Sequence, residues 1–174
     1  MLEAIQKARN VKLLVLDVDG VLTDGCLWYG NSGEELKAFN IQDGLGIKLL
    51  QRAGIDVAII TGRTSQLVTR RGTELGIKHI VQGREDKLVA LRAVADELNL
   101  ALEEIAYIGD DLPDLSAIAA VGLGIAVANA MPYVAQHAAY KTTRSGGDGA
   151  VREICDLILQ AQGKLDTVLE RYRQ

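Results

Sequence analysis

Four short groups of residues in this chain have the types and the order needed to handle a phosphoryl group. Asp17 and Asp19 flank Val18 and run into Gly20; Thr61-Gly62-Arg63 follows, then Lys87, then Gly109-Asp110-Asp111 with Asp114 close behind. Two acids at the end of an apolar run are costly to bury unless a cation or a charged substrate compensates them. A divalent metal and a phosphoryl group would do so, leaving one carboxylate to attack phosphorus while the other handles protons. Thr61 can donate its hydroxyl, and Gly62 its backbone N–H, to phosphate oxygens. Lys87 opens a helical pattern, where a cation opposes the helix dipole, so local stability does not explain it. Stabilising the charge that spreads over a transferring phosphoryl group does. Each group alone also reads as ordinary structure: an acidic turn, a strand-to-helix turn, a solvated lysine, acids in a first helical turn. All four in this order are harder to explain that way.

The elements that must position these residues are legible from periodicity. Val11 to Leu16 is a short run rich in branched residues, as in a strand buried in a parallel sheet, with Asp17 at its C-terminal end. Ile55 to Ile60 is a second such strand, delivering Thr61, and Ile77 to Val81 a third. Ile105 to Ile108 is a fourth, delivering Asp110, Leu123 to Val127 a fifth, and Tyr140 to Thr142 an edge strand. Between them lie helical stretches. One opens at Asp43-Gly44 with Leu45, Leu49 and Ala53 on one face, and another spans Thr64 to Leu75. A third is N-capped by Asp86 and carries Leu88, Leu91, Ala95 and Leu98; Pro132 to Ala138 is short, and Ala150 to Gln162 is the last long one. Met1 to Asn10 reads as a short polar helix or arm, and the charged tail Lys164 to Gln174 either frays or docks. Strands alternating with helices predict an α/β fold: a doubly wound, Rossmann-like parallel sheet with helices on both faces, one domain over residues 1–174. The site of such a sheet lies outside the carboxyl ends of its strands, where Asp17, Thr61 and Asp110 all fall.

One excursion interrupts this pattern. Cys26 to Tyr29 and Glu35 to Phe39 read as a hairpin around the turn Gly30 to Glu34. It holds Trp28, Tyr29 and Phe39 of a chain with only one Trp, five Tyr and one Phe, which suits a flap, a subunit contact or packing on its own domain. Gly146, Gly147 and Gly149 form either a substrate loop or a flexible start to the last helix.

Composition sets the outer bounds. A chain of 174 residues, 48% hydrophobic but 4% aromatic, builds an aliphatic core. A net charge of −4 argues against binding nucleic-acid backbones. Cys26 and Cys155 are far apart and fit neither a zinc site nor a disulfide framework. No signal-peptide pattern opens the chain and no apolar run is long enough to span a membrane, which predicts a soluble, cytoplasmic protein.

The set Asp17-x-Asp19-Gly20, Thr61-Gly62-Arg63, Lys87 and Gly109-Asp110-Asp111-x-x-Asp114 resembles the motifs of the haloacid dehalogenase superfamily of phosphohydrolases. The short length, the hairpin after Asp17 to Gly25 and the late Gly-Gly-x-Gly-Ala-Val-Arg-Glu are similar to its capless 3-deoxy-D-manno-octulosonate 8-phosphate (KDO 8-phosphate) phosphatases of lipopolysaccharide synthesis. The resemblance implies a Mg²⁺-dependent hydrolysis of a sugar-acid phosphate, with Asp17 as nucleophile and Asp19 as general acid and base. It implies metal ligation by Asp17, the Asp19 backbone carbonyl and Asp110, with Asp111 supporting the metal and Asp114 orienting Lys87. An oxygen-only ligand set with no nearby His or Cys also favours Mg²⁺. Arg63 would contact substrate or a neighbouring subunit, and the chain would form a homotetramer. A related nine-carbon sugar-acid phosphate is the second substrate. A receiver-like signalling domain shares the sheet, the acids, a Thr and a Lys, but puts its acceptor Asp mid-chain and its Lys last. Here the acceptor candidate comes first and Lys87 precedes Asp110.

Overall fold

The computed structural model describes residues 2–33 and 35–173; Met1, Glu34 and Gln174, with the Glu34 end of the expected hairpin turn, lie outside the described residues. Six strands form one parallel sheet: β1 (Leu13–Leu16), β4 (Asp56–Ile60), β5 (His79–Val81), β6 (Ile105–Gly109), β7 (Leu123–Ala126) and β8 (Tyr140–Lys141). Their spatial order is β5-β4-β1-β6-β7-β8. The chain thus winds outward from β1 in one direction and then in the other, so the order reverses beside β1 and β6. In register, Leu16 lies opposite Ile59 on one side and Ile108 on the other, which puts the residues that follow both central strands at one edge of the sheet.

Strand alternation splits the core into two layers. Leu14, Leu16, Val57, Ile59, Ala106 and Ile108 pack under α1 (Leu2–Ala8), α2 (Ile41–Arg52) and α7 (Ala150–Ala161). Leu13, Val15, Ala58, Ile60, Ile105 and Tyr107 face α4 (Lys87–Glu97), α5 (Leu115–Ala120) and α6 (Pro132–His137). All four residues of β1 are fully buried, at about 1.5–3 kcal/mol of transfer free energy per large aliphatic side chain. That rigid strand is what aims Asp17.

Three local expectations are corrected. First, α2 begins at Ile41, capped by Asn40, whose side chain accepts from the Gln42 N–H at 2.7 Å. It turns Gly44, Gly46, Ile47 and Leu50 inward together with Leu49, leaving Leu45 exposed, because Gly46 lets Arg152 and Cys155 of α7 come close. Second, Asp43 does not open α2 but lies buried within it, accepting at 2.7 Å from the backbone N–H of Arg152 in the first turn of α7. Burial holds its carboxyl above the usual range. Third, Asp86 occupies the N-cap position of α4 without a capping bond, because it pairs in two 2.7 Å bonds with Arg84.

The remaining elements follow the pattern. α3 (Gln66–Leu75) starts at the Ser65 cap and stops at Gly76. The tail folds into α8 (Leu165–Glu170), with Leu165 and Val168 against the core and the Lys164 ammonium donating to the Ala53 carbonyl at 3.0 Å. The hairpin is β2 (Trp28–Tyr29) antiparallel to β3 (Glu35–Leu36), shorter than expected. Trp28 (62%) and Tyr29 (65%) are exposed, while Phe39 packs partly on the core.

Candidate active site

The turn after β1 and the turn after β6 meet at the sheet's carboxyl edge. Asp17, Asp19, Thr61, Gly62, Arg63, Lys87, Asp110, Asp111 and Asp114 all line one cavity of ≈ 340 Å³ there, so the fold brings every sequence-predicted site residue together. A larger groove of ≈ 670 Å³ lies against α1 and α7, where the charged side chains of α7 are already engaged. Arg152 bonds Asp156 at 2.9 Å, and Glu153 accepts from Tyr140, Thr143 and Arg144. Size does not mark the chemistry here.

Lys87 enters from the first turn of α4 with its side chain only 4% exposed, and its ammonium lies 2.9 Å from Asp17 Oδ1 and 2.6 Å from Asp114 Oδ1. Burial alone would lower its pKa, but the two carboxylates outweigh burial and raise it, so it stays charged. Asp114 is tied on both oxygens. The Tyr107 hydroxyl donates to Oδ1 at 2.8 Å, and the backbone N–H groups of Asp110 and Asp111 donate to Oδ2 at 3.0 and 3.2 Å. With its acceptors occupied, Asp114 orients Lys87 and has little left to offer a metal.

Asp17 and Asp110 are in the opposite condition. Burial, then the charge of Asp114, raises each pKa to about 7, against the pull of Lys87. The carboxylates of Asp17, Asp110 and Asp114 each bring an oxygen within 4.8 Å of the others. An all-oxygen set with two strained carboxylates fits a hard divalent cation, which would relieve the repulsion that holds those protons on. The Asp110 carboxylate can sit this close to the first turn only because Gly20, at φ +94°, has no Cβ; a methyl there would run into it.

Asp19 is held differently. Its carboxylate is outside that cluster: Lys37, on the residue after β3, hydrogen-bonds Oδ1, and Arg63 Nε stands 3.8 Å from Oδ2. Arg63 also donates to the Tyr29 hydroxyl at 3.1 Å and lies 3.9 Å from Glu35, so it ties the hairpin to the site. Thr61 is buried at the end of β4, and Gly62 opens the turn beside Glu85. Asp111 spends one oxygen on the Leu112 N–H at 2.8 Å, opening the turn that carries Pro113 and Asp114.

The glycine-rich segment before α7 buttresses the first turn. The Gly147 N–H donates to the Val21 carbonyl at 2.9 Å, Gly146 is held by Asn129, and a Cβ on Gly146 would strike the Gly20 carbonyl. Within the turn, Thr23 Oγ accepts from the N–H groups of Gly20 and Gly25 at 3.4 and 3.2 Å.

The profile of haloacid dehalogenase-like hydrolases matches residues 76–154. The 3-deoxy-D-manno-octulosonate 8-phosphate phosphatase KdsC of Escherichia coli (strain K12) is 53% identical over 164 residues, covering 94% of this chain and 87% of that protein. The chain belongs to this phosphatase family of haloacid dehalogenase-like hydrolases. Among solved structures of the family, the Moraxella catarrhalis KDO 8-phosphate phosphatase, in complex with a magnesium ion, a phosphate ion and a KDO molecule, superposes with a TM-score of 0.97. It is 50% identical, covering 99% of each chain. A probable YrbI family phosphatase from Pseudomonas syringae pv. phaseolica 1448a reaches 0.99 at 51% identity, covering 100% of this chain and 99% of that one.

Membership of the phosphatase family sets aside the receiver-like alternative. Three residues of the site were not singled out in the sequence: Lys37, Tyr107 and Glu85. Tyr107 sits in the strand pattern Ile-Ala-Tyr-Ile, where a core aromatic is the ordinary reading; its signal is a buried hydroxyl that needs a partner. Lys37 reads as the solvated side of a strand. His79 and His137 stay outside the cavity, against Glu97 and the Tyr133 carbonyl.

Proposed function

We propose that this chain hydrolyses KDO 8-phosphate to KDO and inorganic phosphate, a step of lipopolysaccharide biosynthesis, through an aspartyl-phosphate on Asp17. The observation that carries the reading is Lys87 clamped between Asp17 and Asp114 beside the protonated-prone pair Asp17 and Asp110. Asp17 attacks phosphorus as the bond from phosphorus to the sugar oxygen breaks, and Asp19 gives a proton to the departing oxygen. Asp19, now a carboxylate, takes a proton from water as the water oxygen bonds phosphorus and the bond to Asp17 breaks. Lys87 faces the developing phosphoryl charge, and Thr61 and Gly62 supply donors to its oxygens. Mg²⁺, held by Asp17, Asp110 and the Asp19 backbone carbonyl, would neutralise charge on the phosphoryl oxygens. Asp111 braces the metal side from its turn, and Arg63 recognises the sugar acid.

The same reading takes residues 1–174 as one phosphatase domain working in the cytoplasm. No helix among the described residues is long and apolar enough to cross a membrane. Trp28 and Leu36, a cross-strand pair, expose apolar surface on the hairpin and Tyr29 is exposed beside them, which suits a homotetramer centred on residues 26–39 and closing over the sugar. A panel of phosphorylated sugars assayed with Mg²⁺ tests the substrate: KDO 8-phosphate should exceed nine-carbon sugar-acid phosphates in kcat/KM, and the reverse order would replace it. Light scattering of the wild type and of Trp28→Glu tests assembly, with a fully active wild-type monomer as the outcome against it.

A further inference from the structure

We infer that Lys37 is the positioning residue that aims the Asp19 carboxylate at the leaving oxygen, so that the β2–β3 hairpin takes part in the proton-transfer steps. The inference rests on Asp19 being the acid and base, as proposed above. It starts from an imbalance. The Lys37 side chain is 1% exposed, although it sits on a hairpin whose outer residues are largely in solvent. A buried ammonium persists only where acids and hydrogen bonds compensate it. Two acids are within reach: Asp19 Oδ1, which it hydrogen-bonds, and Glu35 Oε1 at 3.2 Å, which lacks the alignment of a hydrogen bond. The hydrogen bond is the one to Asp19.

Asp19, in turn, depends on that bond. Among the described residues no backbone N–H donates to its carboxylate, and Arg63 Nε at 3.8 Å from the other oxygen is beyond hydrogen-bond range. Asp17, two residues earlier, is fixed by a buried strand and by Lys87; Asp19 lies past the strand end, and its side chain is 20% exposed. Left alone, such a carboxylate would sample several rotamers. A proton donor must stand about 2.6–3.2 Å from the oxygen it serves, and about 1 Å of misplacement costs roughly 10²-fold. Lys37 removes that freedom, and its own place is set by the pairing of Trp28 with Leu36 and Tyr29 with Glu35. The Tyr29 hydroxyl to Arg63 bond closes a second tie between hairpin and site.

The alternative is that Lys37 merely holds the hairpin down. The two roles separate by leaving group, because a sugar alkoxide needs a proton to depart whereas p-nitrophenolate hardly does. The first-step constant kcat/KM should therefore fall on the order of 10²-fold for KDO 8-phosphate in Lys37→Met, and several-fold at most for p-nitrophenyl phosphate. Lys37→Arg, which keeps the charge, should recover most of the loss. In an Asp19→Asn background, Lys37→Met should add little to either constant. Equal losses on both substrates with normal circular dichroism, or a full further loss on top of Asp19→Asn, would overturn the inference. If Asp19→Asn itself kept wild-type turnover of KDO 8-phosphate, the role of Asp19 would fail instead, and the two failures are distinct.

Discussion

Two lysines serve two aspartates at one site, and they are mounted in different ways. Lys87 stands on α4 between Asp17 and Asp114, in a cluster where Tyr107 and two backbone N–H groups fill the remaining acceptors. Every member of that cluster belongs to the central strands, the turns they lead into or a helix packed on them. Lys37 stands beside a two-residue strand, and its companion Arg63 is 44% exposed at the side chain. On the proposed roles, the groups that would face phosphoryl charge are part of the core, whereas Lys37 is carried by an arm and Arg63 reaches out to that arm from the turn after β4. Charge stabilisation needs dry, preorganised partners. A proton donor must instead meet a leaving group whose shape varies with the substrate.

The comparison is broken most severely at Asp17. Asp17→Asn removes the proposed nucleophile but keeps the shape, so turnover should fall at least about 10⁴-fold with the fold intact. Incubation with a labelled phosphate ester checks this, and label retained on the variant would move the nucleophile elsewhere. Next, Asp114→Asn against Arg63→Gln contrasts the two mountings. Removing one partner of the buried cluster should cost about 3 kcal/mol in urea unfolding. The exposed Arg63 pairs should cost less than about 1 kcal/mol, although activity on the sugar phosphate falls. Similar stability losses in both variants would erase the distinction.

The paired acids give a third, smaller effect. In the metal-free folded protein Asp17 and Asp110 titrate near 7, against an ordinary value of 3.8 that the unfolded chain keeps. The folded state binds more protons between those values, so stability falls as pH rises from about 4 to about 7 and levels off above. Melting in chelator should be lower at pH 8 than at pH 5, each kcal/mol of lost stability moving the midpoint by ~2–4 °C in a chain of this size. Mg²⁺ should restore most of it at pH 8; a flat profile would mean the acids are already compensated. The mildest change is Tyr29→Phe, which deletes one exposed hydrogen bond to Arg63 and should cost under about 1 kcal/mol and only several-fold in kcat/KM for the sugar phosphate.

What was legible in the sequence follows the same division. The strands before Asp17, Thr61 and Asp110 are continuous apolar runs, and a parallel sheet delivers whatever follows them to one edge, so those residues could be read without coordinates. Asp114 and Lys87 were legible through the motif order. Lys37 was not, because a lysine in a short polar hairpin has no periodicity to separate a buried ammonium from a solvated one. Only the fold of the hairpin over the site makes that distinction. Leu45 was misplaced for a related reason: the contact of Gly46 with α7, not the aliphatic stripe, sets how α2 is rotated. Asp86 sits where a cap belongs, yet its charge goes to a nearer arginine.

The seating of Gly146 and Gly147 against Gly20 and Val21 has a consequence for the order in which the protein is made. The turn that bears Asp17 and Asp19 leaves the ribosome on the order of 100 residues ahead of the segment that holds its backbone. At about 5–20 residues per second the interval is on the order of 10 s. Through that time the turn lacks its hold from the glycine segment, and a nascent chain can carry the whole first motif without a working site. The hold on that turn is completed only when Gly146 and Gly147, which have no side chain to obstruct it, seat against Gly20 and Val21.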